Sequence, residues 1–351
     1  MLWYAPWFSS SRSLYLECLE AHNYTYKLVT SDSHFDYSRN LSQDALILKN
    51  PERKLERFRY LWDLTKEIYL FRPNIIFVDD LGSIPRLLLF SILSKKYATV
   101  AVIDDVVSHD QAHKLKAKVA WFRNVFIRSS SGILVFSENS KQHAQKLYPQ
   151  KIVQAVQLIP EIKIPSSDRK LTSRENFAMI GRWSDYKGFD IGIDIFKTFK
   201  RLSESEAKLD LWCSNAPDIE VGCDDVIWRS KLKFTWDDLV QALPRYRAVL
   251  LPYRSATQSG VQVLSWSLGV PCLISDEDGL IENQPPNLLI NNLHELTDWV
   301  NELELLESDE YLNEISNLGL NFASEKYSLS RLSIQMNRLL KIFLTSRRGL
   351  N

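Results

Sequence analysis

The sequence has no long hydrophobic run. Its longest apolar stretch extends from Leu87 to Leu93, with the charged residues Arg86 and Lys95 close to its two ends. A helix that spans a bilayer needs about 20 apolar residues, so no membrane span is predicted. The first residues, Met1 to Tyr4, lack a charged segment followed by a long apolar one, so no signal peptide is predicted. We therefore expect a soluble, cytoplasmic protein that at most rests on a membrane surface.

Cysteine is scarce and the net charge is zero. The four cysteines form no CxxC pair and no zinc-ligand spacing, which favours reduced thiols and no metal site. The 43 basic and 43 acidic residues cancel, which argues against a nucleic-acid-binding protein. Residues 1–168 nevertheless hold 22 basic and 17 acidic side chains, and residues 169–351 hold 21 and 26. This asymmetry is either chance or a sign that the first half meets an anionic partner.

The remaining composition is typical of a folded protein with two domains. Hydrophobic residues make up 45% and charged residues 25% of the 351 positions, and a single core rarely grows beyond about 250–300 residues. Short apolar runs without polar alternation predict strands buried on both faces, at 74–78, 99–103, 132–136, 177–180, 209–213, 248–251 and 271–274. Helical patterns alternate with them, at 111–128, 139–147, 189–202, 236–242 and 260–268. This alternation predicts doubly wound α/β architecture.

A boundary between domains is visible in the middle of the chain. The segment from Pro160 to Arg174 contains prolines, several Ser and Thr and no apolar periodicity, which indicates a surface linker. We expect one Rossmann-like domain over residues 1–165 and a second over 166–330. A final helical segment, 331–351, would pack back on the first domain. Two such domains would face each other across a cleft, with ligands beyond the carboxyl ends of the strands.

Residues 180–190, IGRWSDYKGFD, have the features of an anion site. Gly181 ends a predicted strand and Gly188 precedes a predicted helix, with Arg182 and Lys187 in the turn between them. The N–H groups and partial positive charge of a helix start, together with two cations, suit a phosphate. The alternative is a surface loop with two solvated basic residues.

Residues 251–282 contain a second arrangement of this kind. A strand ends at Pro252, a polar loop follows, and Ser259 and Gly260 stand at a helix start that suits a phosphate. Another polar loop, 275–279, follows the next strand. Two such segments in one domain suggest a diphosphate ligand. Neither has a P-loop or GxGxxG pattern, which disfavours P-loop NTPases and NAD-dependent dehydrogenases.

These motifs, GR-(4)-KG and then PY-(4)-QSG-(8)-GVP-(4)-D-(2)-GL-(1)-E, resemble the retaining glycosyltransferases of family GT4, which have the GT-B fold. The resemblance implies that Arg182 and Lys187 bind the diphosphate of a nucleotide-sugar donor, such as a UDP- or GDP-sugar, and stabilise its charge during transfer. It also implies donor contacts from Gly181, Thr257, Gln258, Ser259, Gly260, Val261 and Glu282.

The resemblance further implies that no cofactor and no metal is needed beyond the donor substrate. The acceptor would be a glycan or a lipid-linked oligosaccharide, and the pathway would be bacterial surface polysaccharide synthesis, such as O-antigen, capsule or exopolysaccharide. The chain has no nucleophile paired with a base, which agrees with a front-face mechanism in which the leaving diphosphate helps to deprotonate the acceptor.

The sequence departs from the family pattern at two places in particular. Leu264 stands where the family has an acidic residue that holds the nucleotide ribose, so Gln262, Ser265 or Glu282 would have to take over that contact. After the first strand, residues 7–11 contain no glycine, although many family members carry a Gly-rich loop there.

Candidate residues in the first domain follow the strand predicted at 99–103. The segment from Val102 to His109, VIDDVVSH, resembles a family segment written HDxxPH, with Asp104 in place of the first His. The resemblance implies that Asp104 contacts the donor sugar and that Asp105 and His109 match the other positions. Paired carboxylates also suit a metal or acid–base chemistry, and the plainer alternative is loop hydrogen bonding or helix capping.

From Gln111 to Ser137 there is no acidic residue, and basic and aromatic side chains alternate. One interpretation is a helix packed on the first sheet through Leu115, Val119, Phe122 and Phe126, which share a helical face. The other is a surface that rests on anionic lipid or meets the acceptor, through Lys114, Lys118, Trp121 and Arg123. The two interpretations are compatible, because one face of the helix can pack on the sheet while the other faces lipid or acceptor.

Two rival functions remain open. Leu264 and Asp104 favour a non-catalytic binding or scaffold protein of GT-B fold that has lost its donor affinity. A nucleotide-sugar epimerase or a phosphorylase of the same fold is the other alternative, and the GR–KG and QSG pattern disfavours it.

Overall fold

The computed structural model of the chain describes residues 1–6, 10–31, 45–49, 51, 54–79, 82–106, 117–160, 174–217, 222–230 and 234–348. These residues form two compact units. The first contains the described residues as far as Gln157 together with those from Leu329 onward, and the second runs from Leu158 to Ser328. Within the described ranges, no helix has the length and apolarity needed to cross a bilayer.

The first unit is built on a seven-stranded sheet. Its strands are β1 (Leu2–Tyr4), β2 (Lys27–Ser31), β3 (Ala45–Leu48), β4 (Ile75–Val78), β5 (Ala98–Val102), β6 (Gly132–Val135) and β7 (Ile152–Ala155). All neighbours are parallel, in the order β3-β2-β1-β4-β5-β6-β7. Every residue of β1, β4, β5 and β6 is buried, as expected for a parallel sheet with helices on both faces.

Helices α1 (Ser10–Glu20), α2 (Lys54–Phe71), α3 (Ile84–Leu93), α4 (Ala117–Ser129) and α5 (Glu138–Leu147) connect these strands. Helices α2 to α5 bury apolar side chains in one cluster that also contains Tyr4 of β1. Phe90 of α3 lies between Tyr4 and Phe126 of α4, with ring centroids 5.0 and 6.2 Å away. These four helices therefore cover one face of the first sheet.

The second unit repeats the architecture with six parallel strands. They are β8 (Asn176–Arg182), β9 (Leu209–Ser214), β10 (Val226–Ser230), β11 (Tyr246–Leu251), β12 (Cys272–Ser275) and β13 (Ile290–Asn291), in the order β10-β9-β8-β11-β12-β13. The helices are α6 (Phe189–Leu202), α7 (Trp236–Ala242), α8 (Gly260–Ser267), α9 (Asp278–Ile281), α10 (Leu296–Leu305) and α11 (Asp309–Lys326).

The last helix, α12 (Leu329–Arg348), belongs to the first unit and packs against α1 and β5. The ring of Phe343 meets Phe77 of β4 edge-on, with centroids 6.4 Å apart. Gly132 permits this approach, because a Cβ there would lie 2.2 Å from a ring carbon of Phe343. The helix thus covers the face of the first sheet that also receives α1.

The predicted elements are confirmed where the pattern was strongest. The seven predicted strands coincide within two residues with β4, β5, β6, β8, β9, β11 and β12. Helices α5 to α8 begin and end within one residue of their predictions. The helix predicted at 111–128 is α4 over its described part. On α4, Phe126 is fully buried and Val119 and Phe122 pack against the core, so packing on the sheet is confirmed for these three, and Leu115 lies outside the described residues.

Candidate functional site

The carboxyl ends of β8 and β11 form the switch point of the second sheet. These two strands are neighbours, and the chain continues from β8 towards β9 and from β11 towards β12, on opposite sides. In open parallel sheets, ligands bind in the crevice at this point. Gly181 and Arg182 end β8, and the segment from Pro252 to Ser259 follows β11, so both predicted segments meet here.

Two glycines make the turn after β8 possible. Gly181 has φ +149°, and a Cβ there would lie 3.0 Å from Cδ of Lys187. Gly188 has φ +61°, and a Cβ there would lie 2.0 Å from the carbonyl oxygen of Pro252. The turn therefore folds Lys187 back over the end of β8 and packs its own backbone against the segment after β11.

Lys187 is held by Tyr253. Its Nζ donates to Oη of Tyr253 at 2.7 Å and lies 4.1 Å from the centroid of that ring. Oη of Tyr253 is 3.5 Å from Oγ of Ser259, the N-cap residue of α8. Burial raises the pKa of Tyr253 far above its ordinary value, so the phenol stays protonated. The ammonium group is thereby positioned beside the start of α8.

The start of α8 supplies backbone donors. Ser259 accepts from the N–H of Gln262 through its Oγ, which caps the helix. The N–H groups of Gly260 and Val261, in the first turn, have no acceptor within the helix. Thr257 and Ser259 are buried and Gln258 is half-buried. The loop predicted to bind the donor thus ends in a capped helix start whose N–H groups suit an anion.

A bidentate ion pair joins the two segments. Nη1 and Nη2 of Arg254 donate to the carboxylate of Asp190 at 3.0 and 2.5 Å, and Nη1 also donates to the carbonyl of Asp185. The hydrogen bonds from Arg254 hold the pKa of Asp190 below its ordinary value. Arg254 is thus neutralised by Asp190. The other two basic residues of these segments are Arg182, whose Nε lies 3.4 Å from Oγ of Ser184, and Lys187, whose Nζ donates to Tyr253.

The acidic loop before α9 lies against the segment after β11. A Cβ on Gly279 would lie 2.3 Å from the carbonyl oxygen of Ala256, so only glycine fits there. Burial raises the pKa of Glu277, and this effect outweighs the backbone hydrogen bond that its side chain accepts at Ala256. Glu282, at the end of α9, is half-buried, and its carbonyl accepts from Nζ of Lys326.

Leu264, which the family resemblance placed at the position of a ribose contact, lies inside the core. Leu264 is 0% exposed, and so are Gln262 and Ser265. Nε2 of Gln262 donates to the carbonyl of Leu280 and to Oε1 of Gln284, at 2.9 and 2.8 Å. Of the three residues predicted to replace the acidic side chain, Glu282 alone is partly exposed.

Of the described candidates of the first unit, all are exposed except Arg123, which is half-buried. Asp104 and Asp105 follow β5 with exposed side chains, and Nη2 of Arg123 donates to the carbonyl of Asp105 at 3.3 Å. Burial lowers the pKa of Arg123. Lys118 and Trp121 are exposed on α4. His109 and Lys114 lie outside the described residues.

Sequence reasoning missed four residues of this region: Tyr253, Arg254, Asp190 and Glu277. The PY pair before a polar loop was a signal for Tyr253, since a buried tyrosine needs a partner for its hydroxyl. The pairing of Arg254 with Asp190 has no local signal, because 64 positions separate the two residues.

Comparison with known proteins establishes the fold. No protein-family model matches the sequence, and no curated protein sequence matches it significantly. Solved structures do match. HepE of Anabaena in complex with UDP and glucose is 13% identical, covers 97% of this chain and 99% of its own, and has a TM-score of 0.70. Sucrose-phosphate synthase of Thermosynechococcus elongatus is 11% identical over 98% and 99%, with a TM-score of 0.69.

A variant of TarM of S. aureus, in complex with fondaparinux, α-GlcNAc-glycerol and UDP, is 12% identical over 98% of this chain and 99% of its own, with a TM-score of 0.68. With the two parallel sheets described above, these likenesses confirm the predicted α/β GT-B fold.

Proposed function

We propose that this protein is a retaining glycosyltransferase that moves a sugar from a nucleotide-diphosphate donor to a hydroxyl of a glycan or lipid-linked acceptor, in bacterial surface polysaccharide synthesis. One observation carries the proposal: Lys187, fixed by Tyr253, lies beside the capped start of α8 at the switch point of the second sheet. A diphosphate needs such a combination of a cation and convergent backbone N–H groups.

The residues would act on the leaving group. When the bond between the anomeric carbon and the phosphate oxygen breaks, negative charge grows on the diphosphate, and Arg182, Lys187 and the N–H groups of Gly260 and Val261 stabilise it. The acceptor hydroxyl forms the new bond to the anomeric carbon on the same face. Its proton passes to the phosphate oxygen that leaves. The resemblance to family GT4 assigns Asp104 to a sugar hydroxyl and Asp105 and His109 to the same region of the first domain.

The fold neighbours support a uridine nucleotide as the first donor to test. HepE is described in complex with UDP and with UDP and glucose, and TarM in complex with UDP. GDP is the matched comparison, because it carries the same diphosphate on another base. No cofactor is proposed besides the donor.

Calorimetric titration of the whole chain with UDP and with GDP tests the donor site. We expect Arg182→Ala and Lys187→Met to weaken nucleotide binding roughly 10- to 100-fold, the effect of losing a hydrogen bond to a charged group. Arg201→Ala is the control, because it removes an exposed cation from the other end of α6. Absence of binding by either nucleotide, or unchanged binding in both site variants, contradicts the proposal.

Retention is tested on the product. The wild type, given the nucleotide sugar whose nucleotide binds, should transfer it to a glycan or lipid-linked acceptor, and NMR of the anomeric proton should give the donor's own configuration. An inverted product contradicts retention without contradicting the donor site.

The buried position of Leu264 favours a second function, a non-catalytic protein of GT-B fold. Without an acidic side chain at this position, the ribose loses a partner that the family normally supplies. This alternative, which has lost its donor affinity, predicts that neither UDP nor GDP binds and that the sugar nucleotide stays unchanged in the presence of an acceptor. A GT-B epimerase predicts instead a changed sugar still attached to its nucleotide. Chromatography of one reaction mixture separates the three outcomes.

We also propose that the outer surface of α2, α3 and α4 rests on an anionic membrane. These helices cover one face of the first sheet, and large apolar side chains stand out from them: Phe58, Trp62, Ile92 and Trp121 are 74%, 71%, 66% and 61% exposed. Exposed basic residues accompany them, namely Arg57, Arg59, Lys66, Lys95, Lys96 and Lys118. Apolar insertion and attraction to anionic headgroups act together on such a surface.

Co-sedimentation with phosphatidylcholine vesicles, with and without phosphatidylglycerol, tests this surface. We expect binding that needs the anionic lipid, weakens at high salt, and falls several-fold in the double variant Trp62→Ser, Trp121→Ser. Leu202→Ser is the control, because this leucine is 70% exposed in the second unit. Binding that ignores lipid charge and salt, or a dimer that disappears in the double variant, contradicts the membrane proposal.

A further inference from the structure

A cavity of about 680 Å³ reaches the amino-terminal ends of strands in the second sheet, opposite to the carboxyl ends that form the switch point. Asn176 and Tyr246, which begin β8 and β11, line it, and so does Asp210, the second residue of β9. The switch point described above lies at the carboxyl ends of the same strands. The cavity is therefore separate from the proposed donor site, and its volume is within the roughly 300–1,000 Å³ that is typical of small-molecule pockets.

Asp210 lies in this cavity with one carboxylate oxygen unsatisfied. Its side chain is 3% exposed. Oδ2 accepts from Nε of Arg229 at 2.7 Å and from the hydroxyl of Tyr246 at 2.9 Å. Oδ1 is buried and has no hydrogen-bond partner among the described residues. A buried carboxylate oxygen without a donor is costly, so this oxygen calls for a donor supplied by a ligand.

The partners of Asp210 are themselves fixed. Nε1 of Trp212 donates to the hydroxyl of Tyr246 at 2.8 Å, and that hydroxyl in turn donates to Asp210. This chain orients the carboxylate and leaves Oδ1 as the acceptor that remains. Trp212 and Tyr246 also line the cavity, so a flat apolar surface stands beside the acceptor.

The charges in the cavity favour a neutral ligand. Asp210 is already neutralised by Arg229, whose side chain is 43% exposed and whose pKa is raised by the hydrogen bond to Asp210. The charged residues around the cavity comprise three carboxylates and two guanidinium groups: Glu175, Asp210, Asp238, Arg229 and Arg245. A phosphate ligand would be repelled by the excess of negative charge, and a cationic ligand would compete with Arg229 for Asp210. A neutral hydroxyl group avoids both effects.

We infer that this cavity binds a neutral saccharide, with one hydroxyl donating to Oδ1 of Asp210, a neighbouring hydroxyl accepting from the guanidinium of Arg229, and the apolar face of the sugar ring against Trp212. An acceptor and a donor side by side suit two adjacent hydroxyl groups, and an aromatic ring beside them suits the C–H face of a pyranose. The inference goes beyond the proposed transferase function and does not depend on it, because nothing in it requires a nucleotide or a transfer step.

Binding of the full chain to an array of neutral glycans tests the inference, followed by calorimetry with the tetrasaccharide that gives the strongest signal. We expect Asp210→Asn to weaken binding at least tenfold, because an amide N–H replaces the free acceptor while the other oxygen keeps its partners. Ala242→Met is a second variant that fills the cavity without touching the hydrogen-bond chain, and we expect the same loss. Asp237→Asn is the control, since this aspartate is exposed on α7 and does not line the cavity.

The affinity for UDP shows whether each variant is folded, and separates this inference from the proposed function. Loss of glycan binding in Asp210→Asn and Ala242→Met with unchanged UDP affinity supports the saccharide site. If no neutral glycan binds the wild type, or if binding survives both variants, the inference is wrong. Uridine that binds in an Asp210-dependent way where glycans do not also overturns it. Failure of UDP to bind the wild type bears only on the donor site, and thermal melting then monitors folding.

Discussion

The ammonium group of Lys187 lies 2.7 Å from the hydroxyl of Tyr253 and 4.1 Å from the centre of its ring. Sixty-six positions separate these residues, and they meet because β8 and β11 are neighbours in the second sheet. The tyrosine is buried, and its hydroxyl is also near the N-cap serine of α8. One phenol thus sets the position of the cation relative to the helix start.

Replacing Tyr253 by Phe removes the hydroxyl and keeps the ring. We expect UDP affinity to fall about three- to tenfold. This is less than the roughly 1.5–3 kcal/mol of a hydrogen bond to a charged group, because the ring that remains still lies next to the ammonium group. Tyr311→Phe, which removes a hydroxyl from α11 in the same unit, should leave the affinity unchanged. Calorimetric titration measures both. Wild-type affinity in Tyr253→Phe would mean that Lys187 needs no support from Tyr253.

A substitution at Gly188 tests whether the turn after β8 must pack against the segment after β11. Its φ is +61°, and a Cβ there would lie 2.0 Å from the carbonyl of Pro252. We expect Gly188→Ala to lower the free energy of unfolding by about 1–3 kcal/mol from backbone strain alone, and further because of the clash. Gly222 has φ +63° and nothing within 4 Å of its would-be Cβ, so Gly222→Ala measures the strain without the clash.

Urea denaturation of Gly188→Ala and Gly222→Ala separates these two contributions. The difference between their effects is the cost of moving the turn away from Pro252, and UDP affinity should fall in Gly188→Ala alone. Equal losses of stability with equal UDP affinities would contradict a tight contact between the segments.

The strands that the sequence predicted are those with continuous apolar runs. Strand β1 has three residues, and β2 ends in Thr30 and Ser31, both 0% exposed. Polar residues of this kind look like loop residues in the sequence, and only the pairing of β2 with β1 and β3 buries them. These strands were missed because their burial depends on partners that are far away in the chain.

The candidate site was predicted where its residues form local motifs. Gly181 and Lys187 lie at the end of β8 and in the turn after it, and Ser259 is the N-cap residue of α8. A strand followed by a glycine-containing turn, and a serine before a helix, are patterns that can be recognised locally in the sequence. The burial of Gln262 and Ser265 was not predictable, because every residue of α8 from Val261 to Ser267 is buried and the polar residues do not lie on a separate exposed face. Their partners, such as Gln284, come from another part of the chain.

The pair formed by Arg254 and Asp190 predicts a pH dependence. Arg254 lowers the pKa of Asp190 in the folded state, so the pair stabilises the fold above the unfolded pKa, about 3.9. This contribution disappears as the pH falls through the lower, folded pKa. We expect Asp190→Asn to be less stable than the wild type by about 0.5–1 kcal/mol at pH 7, because the carboxylate is largely exposed and screened.

Chemical denaturation of Asp190→Asn and wild type between pH 7 and pH 3 measures this difference. It should shrink with acidification, and 1 M salt should reduce it at pH 7. Asp194→Asn is the control, because this aspartate is exposed on the same helix. A difference that grows as the pH falls would contradict the ion pair.

Leu264 allows a direct test of the proposed nucleotide site. The side chain is 0% exposed, so a carboxylate placed there would be buried without a partner. We expect Leu264→Glu to lose roughly 3–5 kcal/mol of unfolding free energy, as for other uncompensated buried charges. Leu264→Met keeps an apolar side chain of similar volume and should lose less than about 1.5 kcal/mol.

Urea denaturation with and without UDP shows whether a side chain at position 264 only fills the core or can reach a bound nucleotide. If Leu264 only fills the core, UDP stabilises Leu264→Glu no more than it stabilises the wild type. If the helix can present the new carboxylate to the ribose, the variant is nearly as stable as the wild type and binds UDP more tightly. That second result would contradict the fully buried position of Leu264.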